Sequence, residues 1–139
     1  MAEIDFNQIY DGVTLALHRF YTGARIHGGE IKQDLHDGDF NVLPITTSHT
    51  EQMGIRAKRK PVFDVIYYAS RAGGRIECLR IANSLAQVLR TIQTPNGDKV
   101  HCSSFETTIE DDVLHCLVGY THFAYEPKQE NPMNNLKTN

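Results

Sequence analysis

The run Ile109–Tyr125, IEDDVLHCLVGYTHFAY, is the longest near-apolar stretch in the chain and the feature that most limits its fold. An acidic corner, Glu110-Asp111-Asp112, joins it to a second strand-like run, Lys99–Ile109. Two such runs about a short polar corner read as an antiparallel hairpin. With Asp111 and Asp112 as the central turn residues, the pairing counts outward. Glu110 faces Val113, Ile109 faces Leu114, Thr107 faces Cys116, Phe105 faces Val118 and Ser103 faces Tyr120. Side chains alternate along a strand, so the apolar members share one face. The other face collects Ser104, Glu106, Thr108, His115, Gly119 and Thr121, with Leu117 as its main apolar member. A slip of one residue would scatter this sorting, so the register is specified. The hairpin is expected to be the floor on which the helices rest.

Upstream, Asp5–Phe20 sets Ile9, Val13, Ala16, Leu17 and Phe20 at spacings of three and four, one apolar stripe of a helix. Asp5 suits the N-cap, and Gly23 lies just past the end, where helices stop. Arg25–His27 reads as a short strand and Glu30–His36 as a helical turn. Asp39–Thr47 reads as a strand that lies at an edge or carries a bulge, because Pro44 cannot donate to a ladder. His49–Lys60 is a polar arm carrying Arg56, Lys58, Arg59 and Lys60. Pro61–Ser70 is the next strand, and Asp64 gives it a half-exposed face. Arg75–Ile92 reads as a second helix with Cys78, Ile81, Leu85, Val88, Leu89 and Ile92 on its stripe. Thr94-Pro95-Asn96-Gly97 turns the chain into the final hairpin. The predicted architecture is therefore α+β: a mainly antiparallel sheet of about four strands with two helices packed on one face. It occupies residues 1–125 as a single domain. Residues 126–139, EPKQENPMNNLKTN, are too polar to fold alone, with Met133 and Leu136 as apolar points.

Composition bounds the function. The 139 residues suit one core. A formal charge of -3 gives no support to an overall polyanion binder. The start MAEIDFNQ lacks a basic and an apolar region, so no signal peptide is expected. No run approaches the ~18 apolar residues of a membrane helix. Cys78, Cys102 and Cys116 read as reduced thiols, and Cys116 on the core face acts as a small hydrophobe.

Chemistry-bearing motifs are sparse. GxGxxG, P-loop, GxSxG and HExxH patterns do not occur. Gly73-Gly74 lacks the rest of a phosphate-binding pattern and reads as a loop hinge. The register sets His101 opposite His122, yet no third ligand comes at a metal-site spacing and Cys102 points away. Asp111-Asp112 is explained by turn chemistry and Asp37/Asp39 by a loop. No thiol nucleophile is expected. No catalytic residue, cofactor or metal is predicted.

DGVTLALHRFY in the first helix, KPVFDVIYYAS in a strand, IEDDVLHCLVGYTHFAY and the tail ENPMNNLKTN occur in this order over nearly the whole chain. In order, length and Pro-Met-containing tail, the chain resembles the small tail-terminator, or tail-completion, proteins of bacteriophages and phage-like elements. The resemblance extends to relatives in phages of Gram-positive bacteria, both long-tailed phages and defective contractile elements. The resemblance implies a structural virion protein without catalytic residues. It implies a homohexameric ring on the head-proximal end of the tail tube, which stops tube polymerisation and offers a joining surface to the head connector. The tail tube protein, the connector proteins and, in a contractile tail, the sheath protein are the implied partners. Genomic DNA passes through the channel without specific binding. Protein contacts are expected at Arg56, Lys58, Arg59, Lys60, Met133 and Leu136. Cations gripping phosphates six times around a ring would brake sliding DNA, so the arm is assigned to protein. The alternatives are another connector or tail-tube protein, which polymerisation into long tubes would reveal, and a small enzyme or metal-binding domain, which elemental analysis would reveal.

Overall fold

The first helix, α1 (Phe6–Phe20), forms where the spacing predicts it. The Asp5 carboxylate accepts the Gln8 N–H at 2.8 Å and caps it. Ile9, Val13 and Leu17 are fully buried on one face. The helix ends as the Tyr21 N–H bonds the Leu17 carbonyl, and Gly23 follows in the left-handed region at φ +89. The computed structural model describes residues 5–28, 35–46, 49–52 and 56–125.

Five strands make the main sheet: β1 (Ile26–Gly28), β2 (Phe40–Thr46), β5 (Val62–Tyr68), β8 (Ser104–Glu110) and β9 (Val113–Gly119). Their order is β1-β2-β5-β9-β8, and every pairing is antiparallel except β1 with β2. This is the expected α+β sheet with one strand more than the count of about four. The hairpin register is the predicted one from Glu110↔Val113 through Ile109↔Leu114 and Thr107↔Cys116 to Phe105↔Val118. Asp111 and Asp112 sit at φ 50 and 61, the left-handed pair that a tight two-residue hairpin turn requires. Thr107 is exposed although it shares the core-facing register, because β8 is the sheet edge. At Pro44 both expectations meet. The β2–β5 register shifts between Pro44 and Thr46, and among the described residues β1 pairs with Phe40, Asn41 and Val42 and not with Pro44.

Two expectations are corrected. The second helix, α2 (Gly74–Val88), stops short of Ile92. Ile92 is buried, as its place on the stripe suggests, but in β6 (Thr91–Gln93), which pairs with β7 (Lys99–His101). The turn outcompetes the helix: Thr94 Oγ1 accepts the Asp98 N–H, the Thr94 carbonyl accepts the Gly97 N–H, and Gly97 takes φ +95. The run Lys99–Ile109 is consequently two strands, β7 and β8, broken where the Cys102 N–H turns to the Arg90 carbonyl. The ladder therefore ends at Ser104↔Gly119, and Ser103 and Tyr120 are not paired. The helical turn expected over Glu30–His36 falls mostly outside the described residues, and Leu35 and His36 are not helical.

Both helices lie on one face of the sheet. Ile9, Val13 and Leu17 of α1 and Cys78 and Leu85 of α2 share a single core with Phe40, Val42, Phe63, Val65, Leu114, Cys116 and Val118. Burying a side chain such as Leu85 contributes about 1.5–3 kcal/mol. Tyr120, just past β9, is wholly buried, and its hydroxyl donates to the Leu89 carbonyl at the end of α2 at 2.7 Å. At the start of α2 the Glu77 carboxylate accepts the Tyr67 hydroxyl at 2.6 Å, the Ser70 hydroxyl at 2.6 Å and the Ser70 N–H at 3.2 Å. The hydroxyls of Tyr21 and Ser84 join the end of α1 to α2.

Candidate assembly interface

The arm is built as a continuation of the sheet. Strands β3 (His49–Gln52), β4 (Arg56–Arg59) and β10 (His122–Tyr125) form a second, antiparallel sheet in the order β10-β4-β3. The register carries through from the main sheet. Val62 pairs with Thr46 and Gly119, and Arg59, three residues earlier, pairs with His49 and His122, each three residues later. The Tyr120 N–H bonds the Pro61 carbonyl across the junction. Sequence reasoning placed the projecting connection but missed its third strand. The signal lay in the length of the Ile109–Tyr125 run, which outlasts its partner β8.

Lys58, Arg59 and Lys60, the arm cations whose side chains are described, do not form one patch. Arg56 opens β4, opposite Gln52 and Tyr125. Lys58 is exposed. Arg59 turns to the helix side, its guanidinium 5.8 Å from the centre of the Phe6 ring, a cation–π contact. Lys60 is half-buried and reaches the opposite sheet face, lining a depression with Val62, Ser104, Phe105, Glu106 and Leu117. Met133 and Leu136 lie outside the described residues.

Among the described residues, no helix covers that opposite face. Its centre is the pair of His115 Nδ1 and Asp64 Oδ2 at 3.0 Å, flanked by the exposed Leu117. Ile45 on β2 is exposed as well. On the helix side, a 410 Å3 groove runs between α1 and β6, lined by Leu15, Ala16, Arg19, Phe20, Thr91 and Gln93 among others. Gly12 lets α1 approach this closely, since a Cβ there would stand 3.1 Å from the Gln93 carbonyl oxygen. Ile76 and Leu79 add a small apolar patch on the outward side of α2.

The residues weighed for catalysis and metal binding take structural places. His101 and His122 are not opposite each other: His101 pairs with Thr91 and His122 with Arg59, in different sheets. The cause is the break at Cys102-Ser103. Among the described residues no group of three His, Cys, Asp or Glu side chains converges as a metal site. Burial pushes the Cys116 thiol up to about 12, so it is no thiolate nucleophile at neutral pH. Asp39 is more than a loop residue. It is buried and accepts the His36 N–H at 2.9 Å and His27 Nε2 at 3.1 Å, with Arg25 at 3.7 Å. Burial alone would raise its pKa; the His36 and His27 bonds outweigh that and hold it below the ordinary carboxylate value. Gly73 and Gly74 begin α2, and the Gly73 N–H bonds Ser70 Oγ rather than facing an open anion site.

What remains distinctive is surface architecture: among the described residues, an arm sheet with open edges, a sheet face without helices and an apolar groove. A search of curated proteins finds no match to this chain. A family profile described as phage tail terminator protein matches residues 8–132, which span both helices and all three sheets. The chain therefore belongs to the phage tail terminator family, structural components of the virion tail.

Proposed function

We propose that this chain caps the head-proximal end of a phage tail tube as a homohexameric ring, halting tube polymerisation and presenting the surface to which the head connector joins. The family match over residues 8–132 carries this reading. The surfaces above support it, because a terminator needs contacts to its own copies, to the tube and to the connector. In a contractile tail the same ring also meets the sheath. DNA passes through the channel without a specific site, and the protein works by assembly, without catalysis or a cofactor. It joins the tail in the host cytoplasm, in phages or phage-like elements of Gram-positive bacteria.

Negative-stain imaging of particles made with and without the chain tests the proposal. The expected result is a sixfold ring at the head-proximal end of the tube, and overlong, unjoined tubes when the chain is absent. Any other symmetry, or a position elsewhere on the particle, would sink it.

A further inference from the structure

The two edges of the arm sheet match each other. Among the described residues, the strands that flank the main sheet do not follow it into the arm. The chain leaves β8 at Ser103, where Cys102 bonds to Arg90, and β1 pairs no further than Val42. Among the described residues, β3 and β10 are therefore left as open edges of a three-stranded sheet. Open edges carry unpaired N–H and C=O groups and template further pairing.

Both edges are four residues long and sit at one level, because both pair with the same four residues of β4, Arg56–Arg59. Both run antiparallel to β4 and so parallel to each other. Each edge has backbone groups to offer. The Tyr120 N–H to Pro61 carbonyl bond sets the alternation along β10. It directs the backbone of His122 and Ala124 toward β4 and that of Phe123 and Tyr125 outward. The same alternation across β4 turns His49 and Glu51 of β3 outward.

We infer that β10 of one copy pairs with β3 of the next copy, in parallel, as the contact between ring subunits. The match in length, level and direction holds when one copy is related to the next by rotation about an axis along the strands. This is a heterologous contact, the kind that closes into rings. A two-fold pairing of β10 with itself would leave β3 open on both copies. Three strands from each of six copies fall in the barrel range, about 16–18 strands, that leaves a wide aqueous channel. The number of copies rests on the ring proposed above; the edge pairing rests on the registers.

The first test is disulfide trapping in the full-length chain. Ala124 and Glu51 both lie opposite Ala57. Within one copy they are two strands apart, about 9–10 Å, too far for a disulfide. The double variant Glu51→Cys/Ala124→Cys, with cysteine then moved through positions 49 to 52 to allow for strand tilt, is oxidised in purified tails and in concentrated protein. A ladder of covalent oligomers ending in a closed species supports the pairing. Cross-linking that stops at dimers, or none at any position in assembled tails, overturns it. The unsubstituted chain controls for Cys78, Cys102 and Cys116.

Proline at an outward-facing edge position removes a donor without touching β4. Glu51→Pro and Phe123→Pro, one on each edge, are expected to keep the monomer's melting transition and lose the ring. Either variant alone suffices if the other fails to fold. Rings at the usual yield from both would overturn the edge pairing and leave the terminator reading standing. Absence of the chain from tail ends, with the ladder still formed by purified protein, would do the reverse.

Discussion

The Tyr67 hydroxyl donates to the Glu77 carboxylate at 2.6 Å, tying β5 to the first turn of α2. Ser70 and Tyr67 both bond this carboxylate and hold its pKa below the ordinary 4.5, against the opposing effect of burial. A depressed acid stabilises the fold above its unfolded pKa, and that stability is lost as pH falls through the folded value. Thermal melts should therefore show an acid-side loss of stability below pH 4.5 that is smaller in Glu77→Gln. At neutral pH the same variant should cost roughly 1.5–3 kcal/mol, the range for bonds to a charged group. Equal acid sensitivity in the two chains would show that another carboxylate dominates.

Tyr120 makes a comparable tie on the other side of the core. Its hydroxyl is buried against the Leu89 carbonyl. Tyr120→Phe keeps the ring and leaves that carbonyl without its donor, at a cost of about 1–3 kcal/mol. Urea unfolding should show a lower midpoint with an unchanged slope. An unchanged midpoint would mean that water replaces the hydroxyl.

The arm cations divide between stability and contact. Arg59 makes a cation–π contact within the chain, with Phe6. Replacing Arg56, Lys58, Arg59 and Lys60 by Gln should lower stability by no more than about 1 kcal/mol. In cells the quadruple variant is expected to give overlong tubes or unjoined heads, as charge complementarity sets register and partner choice. Tails of normal length on full heads would show these four residues to be ordinary solvated cations.

Ending the chain after Tyr125 preserves every strand through β10. We predict a truncated chain that still folds, with circular dichroism matching the full length, but joins heads poorly. Met133 and Leu136 would otherwise order against a neighbouring subunit or the connector. Normal yields of complete particles from the truncation would remove any such role for the tail.

The sequence by itself determined the elements whose signals are local. Asp5 with the Ile9–Val13–Leu17 stripe specifies α1, and Asp111-Asp112 between alternating runs specifies the β8–β9 hairpin to the residue. In both cases one periodicity and one turn leave a single way to bury the apolar side chains. Tertiary structure decided the rest. Ile92 is apolar on the phase of α2 and buried either way, so periodicity alone could not tell that the Thr94–Gly97 turn would draw it into a strand. His101 and His122 lay opposite each other only while Lys99–Ile109 was one strand; the bond from Cys102 to Arg90 joins residues that only the folded chain brings together. The arm shows the same division. Its polarity and cations were legible in His49–Lys60, but that Lys58 faces solvent while Arg59 covers Phe6 follows from pairing with β10, a segment more than sixty residues away. Pairing over such separations is set by backbone hydrogen bonds, which carry no residue code, so only the assembled sheet reveals it.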